Sequence, residues 1–237
     1  MRFADERRCE RLPKSKAYTD VSRTKGHDQS NARCLAVGCA DGLVRSASVR
    51  MTAVDNLWYL ASEADQRAEQ LYHRLADEAD DYVEYETTRW VSRGRFKTVA
   101  ERIEAQGLPF GAHTLAYRPS GELLLVKQAS MDTWVLPGGE VEADETVRAG
   151  ARRELGEEAG IDVQYDGLGV LGEVRFHCDG HQTWGVLPIF EGEAALTDLD
   201  VSDPDGEITD ARWFEELPEN TRDRAVLEEW RGKRFDR

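Results

Sequence analysis

Glu154, Glu157 and Glu158 fall within the stretch Ala151 to Gly160, with Arg152 and Arg153 beside them. On a helix the spacing i, i+3, i+4 puts all three carboxylates on one face. Like charges so spaced repel by roughly 0.2–0.5 kcal/mol per pair even when exposed. Two readings explain such a face. It is a solvated surface laced with ion pairs to neighbouring arginines, or something positive sits on it. Magnesium, a hard cation, takes carboxylate, carbonyl and water oxygens and commonly bridges protein carboxylates to substrate phosphates. The second reading is therefore phosphate chemistry.

The elements around these residues must hold them in place. Thr146 or Asp144 is placed to cap the helix. Along it Gly150, Glu154, Glu157 and Glu158 share one side, and Val147, Ala151, Leu155 and Ala159 form a neighbouring apolar stripe. The stripe docks the helix on a sheet and turns the acidic side toward a cleft. Gly150, one turn before Glu154, reads as space cleared for a phosphate or metal. From about Gly111 the pattern is mixed α/β. "AHTLAYRP" and "ELLLVKQ" are strands separated by the turn Pro119-Ser120-Gly121. "WVLPGGEV" leads into the helix. "GLGVLGEVRFHC" and "HQTWGVLPIFEGEA" follow, joined through Asp179-Gly180, a strong hairpin signal, then the strand "ITDARWFE" and the helix "RDRAVLEEWR".

The chain of 237 residues divides by texture into three parts: an N-terminal extension over 1–50, a helical accessory segment over 51–110 and an α/β domain over 111–237. Residues 1–50 carry little periodicity and read as disordered or loosely attached. Met51 follows directly, and a natural start there is the alternative. From Asp55, placed as a cap, Leu57, Leu60, Ala64, Ala68, Leu71, Leu75 and Ala79 recur at helical intervals. "YETTRWVSR" is strand-like, and "KTVAERIEAQG" is a short helix stopped by Gly107. This part packs on the main domain; an independent helical hairpin is the competing arrangement.

Net charge is −15 at pH 7, unevenly spread: residues 1–50 hold 11 basic and 6 acidic side chains, the rest 20 and 40. Only Lys97, Lys127 and Lys233 are lysines in that remainder. Such a surface repels nucleic acid polymers and anionic membranes. It is also the habit of proteins from a salt-loaded cytoplasm, so a halophilic, cytoplasmic protein is expected, with an ordinary acidic one as the alternative. No apolar run approaches the roughly 18 residues of a membrane span. Cys9, Cys34, Cys39 and Cys178 lack paired zinc spacing and read as free thiols.

The run "GEVEADETVRAGARRELGEEAGI" resembles the Nudix box throughout: Gly139, Glu145, Arg153, Glu154, Leu155, Glu157, Glu158, Gly160 and Ile161 fill every fixed position of G-x5-E-x7-R-E-U-x-E-E-x-G-U, with U aliphatic. "WVLPG" before it resembles the usual lead-in. The resemblance covers about residues 111–232. It implies the Nudix fold, a mixed β-sheet sandwiched between helices. It also implies hydrolysis of a nucleoside diphosphate linked to another moiety, requiring Mg²⁺ or Mn²⁺, often in a homodimer. By the same resemblance Glu154, Glu157 and Glu158 bind metal together with the Gly139 carbonyl. Arg153 orients and neutralises the cluster, and Glu145 steadies the loop–helix corner. A later-loop glutamate can serve as ligand or base; Glu207 in "DPDGEITDARWF" is the candidate, an ordinary loop acid the alternative.

Arg118 and Lys127, each ending a strand before the box, are the candidate substrate-phosphate contacts, weighed against solvated strand ends. Trp134, Trp184 and Trp213 read as core. His177 and His181 flank the hairpin turn and are expected to be exposed. Family markers for substrate are not met: Phe176 stands where ADP-ribose hydrolases have proline, and His177 where dinucleoside polyphosphate hydrolases have tyrosine. ADP-ribose, a nucleotide sugar and a nucleoside or deoxynucleoside triphosphate all stay open. The competing function is a catalytically inactive Nudix domain serving as a nucleotide-binding regulatory module, which would be expected to have lost a box glutamate.

Overall fold

A computed structural model describes residues 56–130, 132–194, 198–201 and 206–235. The N-terminal extension with its three cysteines, Met51 and the Asp55 cap lie outside the described residues. The elements in chain order are α1 (Asn56–Glu78), β1 (Val83–Trp90), α2 (Arg93–Gln106), β2 (Ala112–Tyr117), β3 (Leu123–Gln128), β4 (Thr133–Val135), β5 (Gly138–Gly139), α3 (Val147–Ala159), β6 (Val163–Cys178), β7 (His181–Ala194), β8 (Ile208–Phe214) and α4 (Arg224–Phe235).

The strands form one mixed sheet in the order β1-β6-β7-β2-β3-β4, with β5 paired to β2 and β8 to β3. Alternation along β3 assigns its two faces. Leu123 and Leu125 join the larger core with Phe96, Ile103, Leu115, Leu227 and Trp230. Leu124 and Val126 join a second core with Leu155, Ala159, Ile161 and Ala211. Helices α2 and α4 thus cover one face and α3 the other, the expected α/β/α sandwich. Full burial of a leucine such as Leu155 contributes about 1.5–3 kcal/mol, so the docking of α3 is strongly driven.

The accessory segment is more than helical. β1 joins the sheet edge parallel to β6, in register from Val83↔Val170 to Trp90↔His177. α1 buries Leu57, Ala61, Ala64, Ala68, Leu71 and Leu75, and its Asp65 carboxylate accepts from the Thr183 hydroxyl at 2.9 Å and the Trp184 N–H at 3.1 Å on β7. That bonding to the sheet rules out an independent hairpin. α2 begins on the Ser92 hydroxyl, which accepts from the Arg95 N–H, and stops at Gly107 with φ 84. Asp179 and Gly180, both at positive φ (45 and 82), make the tight hairpin between β6 and β7.

His177 and His181 are half-buried rather than exposed. β1 places Trp90 in the register position of His177, and their rings stack at 4.9 Å; Phe96 packs against His181. Trp134 is buried, and Trp184 and Trp213 pack on the cores. Cys178 is a buried free thiol. Among the described residues no helix is long and apolar enough to cross a membrane.

Candidate active site

The Thr146 hydroxyl caps α3 by accepting the Ala149 N–H at 3.2 Å. Gly160 ends the helix at φ 70, where a Cβ would collide with the Asp200 backbone. Between these caps Ala151, Leu155 and Ala159 are buried, which leaves the glutamates on the outward side.

There one guanidinium gathers three carboxylates. Arg153 Nε and Nη2 donate to the two Glu145 oxygens at 3.0 and 3.2 Å. Its Nη1 donates to both Glu154 Oε1 and Glu157 Oε2 at 2.9 Å, and Nη2 also reaches the Glu140 carbonyl at 2.7 Å. Hydrogen bonding to Arg153 holds the Glu145 carboxyl below the usual range. The reciprocal bonds to Glu145, then Glu154, raise Arg153, so its charge is permanent. Glu145 Oε2 accepts the Glu142 N–H at 3.0 Å and ties the loop to the helix.

The glycines before the helix fit against the carboxylates. A Cβ on Gly139 would lie 2.8 Å from the Glu154 Oε2, all of its nearest neighbours being Glu154 carboxylate atoms. The Gly138 N–H donates to Glu158 Oε2 at 2.8 Å. The Gly139 carbonyl in turn rests where a Gly111 side chain would be, at φ 91. Gly111 is thus a positioning residue that no spacing in the sequence singles out. Gly150 does not face a phosphate or metal space: a Cβ there would press on Val141 at 3.0 Å and Glu145 at 3.3 Å, so its role is close packing of the loop on the helix.

Among the described residues no three His, Cys, Asp or Glu side chains are already set as a metal cage; Arg153 draws the carboxylates to itself instead. The donor chemistry still fits a hard divalent cation. Glu154, Glu157 and Glu158 supply only carboxylate oxygens, and Gly139 leaves the side-chain-free cradle in which Glu154 lies.

Glu154 opens into a cavity of about 780 Å³, the size of a small-molecule site. Glu140 and Glu207 line it with Glu154, so Glu207 shares a cavity with one of the three clustered glutamates. Phe110, Leu136, Leu187, Ile189 and Leu227 give it apolar walls, and Arg89, Arg95, Arg102 and Arg222 also line it. His113, on β2 opposite Gly138, lines it too; burial, reinforced by Arg222, pushes its pKa down to about 4, so the imidazole is neutral at physiological pH. Its Nδ1 is buried without a hydrogen-bond partner among the described residues.

The two proposed phosphate contacts are not in this cavity. Arg118 sits in the β2–β3 turn, at the opposite end of β2 from the Gly138 and Gly139 pairing, bonded to both Glu122 oxygens at 3.1 Å and stacked over Trp213. Lys127 pairs with Asp132 at 2.6 Å. Strand alternation gives the cavity position to its neighbour Gln128. The arginines that do line the cavity come from β1, α2 and the approach to α4, so no single motif marks them.

The NUDIX domain family model matches residues 107–230. A MutT-like protein of Streptomyces ambofaciens is 49% identical over 51 residues, covering 22% of this chain and 33% of the relative. A Bacillus subtilis (strain 168) protein bearing the provisional name 8-oxo-dGTP diphosphatase is 33% identical over 78 residues, covering 32% and 52%. The chain thus spans about a third to a half of the length of these curated relatives. Among solved structures, a MutT NUDIX hydrolase from Burkholderia pseudomallei is similar at 29% identity and TM-score 0.40, over 50% of this chain and 94% of that one. A NUDIX hydrolase from Nitrosomonas europaea is similar at 22% and 0.42, over 53% and 70%.

Proposed function

We propose that this chain, which belongs to the NUDIX domain family, is a pyrophosphohydrolase that cleaves the diphosphate linkage of a nucleotide with water. The observation that carries the reading is the convergence of Glu154, Glu157 and Glu145 on Arg153 at the edge of a nucleotide-sized cavity.

Glu154, Glu157, Glu158 and the Gly139 carbonyl would hold Mg²⁺ or Mn²⁺. When bound, such an ion neutralises phosphate oxygens, activates water and assists the leaving phosphate. The chain's own residues do the rest. Gly139 leaves room for the Glu154 carboxylate, and the Gly138 N–H holds Glu158. Arg153 is a positioning residue: anchored on Glu145, it restrains Glu154 and Glu157 from both sides of one nitrogen. Glu207, at the cavity wall, accepts the proton released as water oxygen bonds to phosphorus and the P–O bond of the linkage breaks. The apolar walls at Leu136, Leu187 and Ile189 suit a nucleobase.

Substrates of the relatives' kinds, an 8-oxo-dGTP-like triphosphate or, as the name of a Streptococcus suis neighbour has it, ADP-ribose, belong in the first panel. Phosphate or nucleotide release should be measured from triphosphates, dinucleotides, sugar nucleotides and ADP-ribose, with Mg²⁺ and with EDTA. Metal-dependent release from at least one is expected. Binding without turnover of any would leave a regulatory module in place of an enzyme.

A further inference from the structure

Three of the four arginines lining the cavity come from ahead of the stretch matched by the family model: Arg89 at the end of β1, and Arg95 and Arg102 on α2. Arg222 joins them from the approach to α4. In a chain of net charge −15 this is an unusual gathering. Arg102 is accounted for by Glu140 at 3.7 Å. Arg89 and Arg95 have no ion-pair partner among the described residues. Arg89 lies with its guanidinium carbon over the Phe110 ring, 4.7 Å from the ring centre. Arg222 donates to Gln128 Oε1 at 3.2 Å. Burial, and after it the charge of Arg89, makes protonation of Arg222 harder, and the charge of Asp223 opposes them in part. The carboxylates on the same cavity are Glu140, Glu154, Glu207 and Asp223. The first two are engaged by Arg102 and Arg153, and Asp223 accepts the Tyr85 hydroxyl at 2.8 Å.

Like-charged guanidiniums held together in a half-enclosed, partly apolar space favour an anion between them. Planar arginine forks fit phosphate oxygens in paired bonds. We propose that Arg89, Arg95 and Arg222 form a subsite for a phosphate group of the substrate other than the linkage cleaved at α3. This deepens the hydrolase reading and rests on it for the identity of the ligand. The accessory segment then selects the substrate class: nucleotides carrying a further phosphate, in the chain or as an ester, over those whose second moiety is a neutral sugar.

Two pairs of compounds separate the sources of that phosphate: GTP against GDP-mannose for a longer chain, and NADPH against NADH for an ester. The phosphorylated member of at least one pair should be hydrolysed with a kcat/KM at least tenfold higher. Arg89→Gln should abolish that preference through KM, leaving the neutral member within about twofold. Arg95→Gln, at an exposed helix position that keeps the fold, should weaken it in the same direction. Independently of activity, tripolyphosphate titrated in EDTA should bind the wild-type protein and bind Arg89→Gln at least tenfold more weakly. Absence of turnover with intact, arginine-dependent tripolyphosphate binding would overturn the hydrolase reading and keep the anion subsite. Turnover with no preference in either pair, or unchanged tripolyphosphate binding in both variants, would overturn the subsite.

Discussion

Two charged clusters, one reaching the cavity through Glu154 and the other through Arg89, Arg95 and Arg222, are built in opposite ways as its acidic and basic walls. On α3 the carboxylates would repel one another, and a single guanidinium, Arg153, meets three of them within one helical turn and its lead-in loop. Elsewhere on the cavity Arg89 and Arg222 add like charge to like, with Phe110 beneath one, Gln128 beside the other and Asp223 opposing the repulsion at Arg222. The acidic wall is self-contained, held by bonds that exist before any ligand arrives. The basic wall is assembled from β1, α2 and the approach to α4, and on our proposal a phosphate of the ligand completes it. A wall that stabilises itself should respond to mutation in stability and in turnover of every substrate. A wall that awaits an anion should respond in substrate preference alone.

Among substitutions outside the glutamates themselves, the largest effect should follow from Gly139→Ala. The three atoms nearest the added Cβ all belong to the Glu154 carboxylate, so Glu154 must move. Turnover should drop by about 10–100-fold for every substrate, the scale seen when groups supporting a metal site are displaced, while circular dichroism and the melting temperature stay close to wild type. Unchanged turnover would break the contrast between the walls. Next comes Arg153→Ala, which removes the latch and leaves three partly exposed carboxylates facing one another. A loss of about 1–2 kcal/mol by urea unfolding is expected for charge-assisted bonds discounted for solvent screening. Thr146→Ala removes the α3 cap and should cost about 1 kcal/mol in the same assay. Arg95→Gln on the other wall should sit within about ±0.5 kcal/mol of wild type; a larger loss would mean that the basic wall is structural after all.

The same contrast explains what could be read from the amino-acid order. The acidic wall is one contiguous run whose turn, helix caps and carboxylates are fixed by local spacing, and Gly139, Thr146, Arg153 and Gly160 all lie where that spacing puts them. The strands and their turns were legible from alternation and from Gly107, Gly121 and Asp179-Gly180. Gly150 differs from expectation because a helical face alone does not reveal the loop that covers it, and Val141 is what it meets. Arg118 and Lys127 stand close to the box in sequence but not in the cavity. Strand direction sends Arg118 to the far end of β2, and alternation hands the cavity to Gln128. Arg89 and Arg222 come together only through the parallel pairing of β1 with β6 and the course of the chain into α4, which no local pattern encodes. The half-burial of His177 has the same origin, since Trp90 reaches it across that pairing.

The central claim is that the acidic side of α3 holds the divalent ion that hydrolysis needs. Calorimetric titration of Mn²⁺ into the wild type and Glu157→Gln, on protein also assayed for turnover, addresses it most directly. Weaker Mn²⁺ binding with a drop in turnover of about 10²–10⁴-fold is the predicted result. Equal Mn²⁺ affinity together with equal turnover in the two proteins would contradict the account.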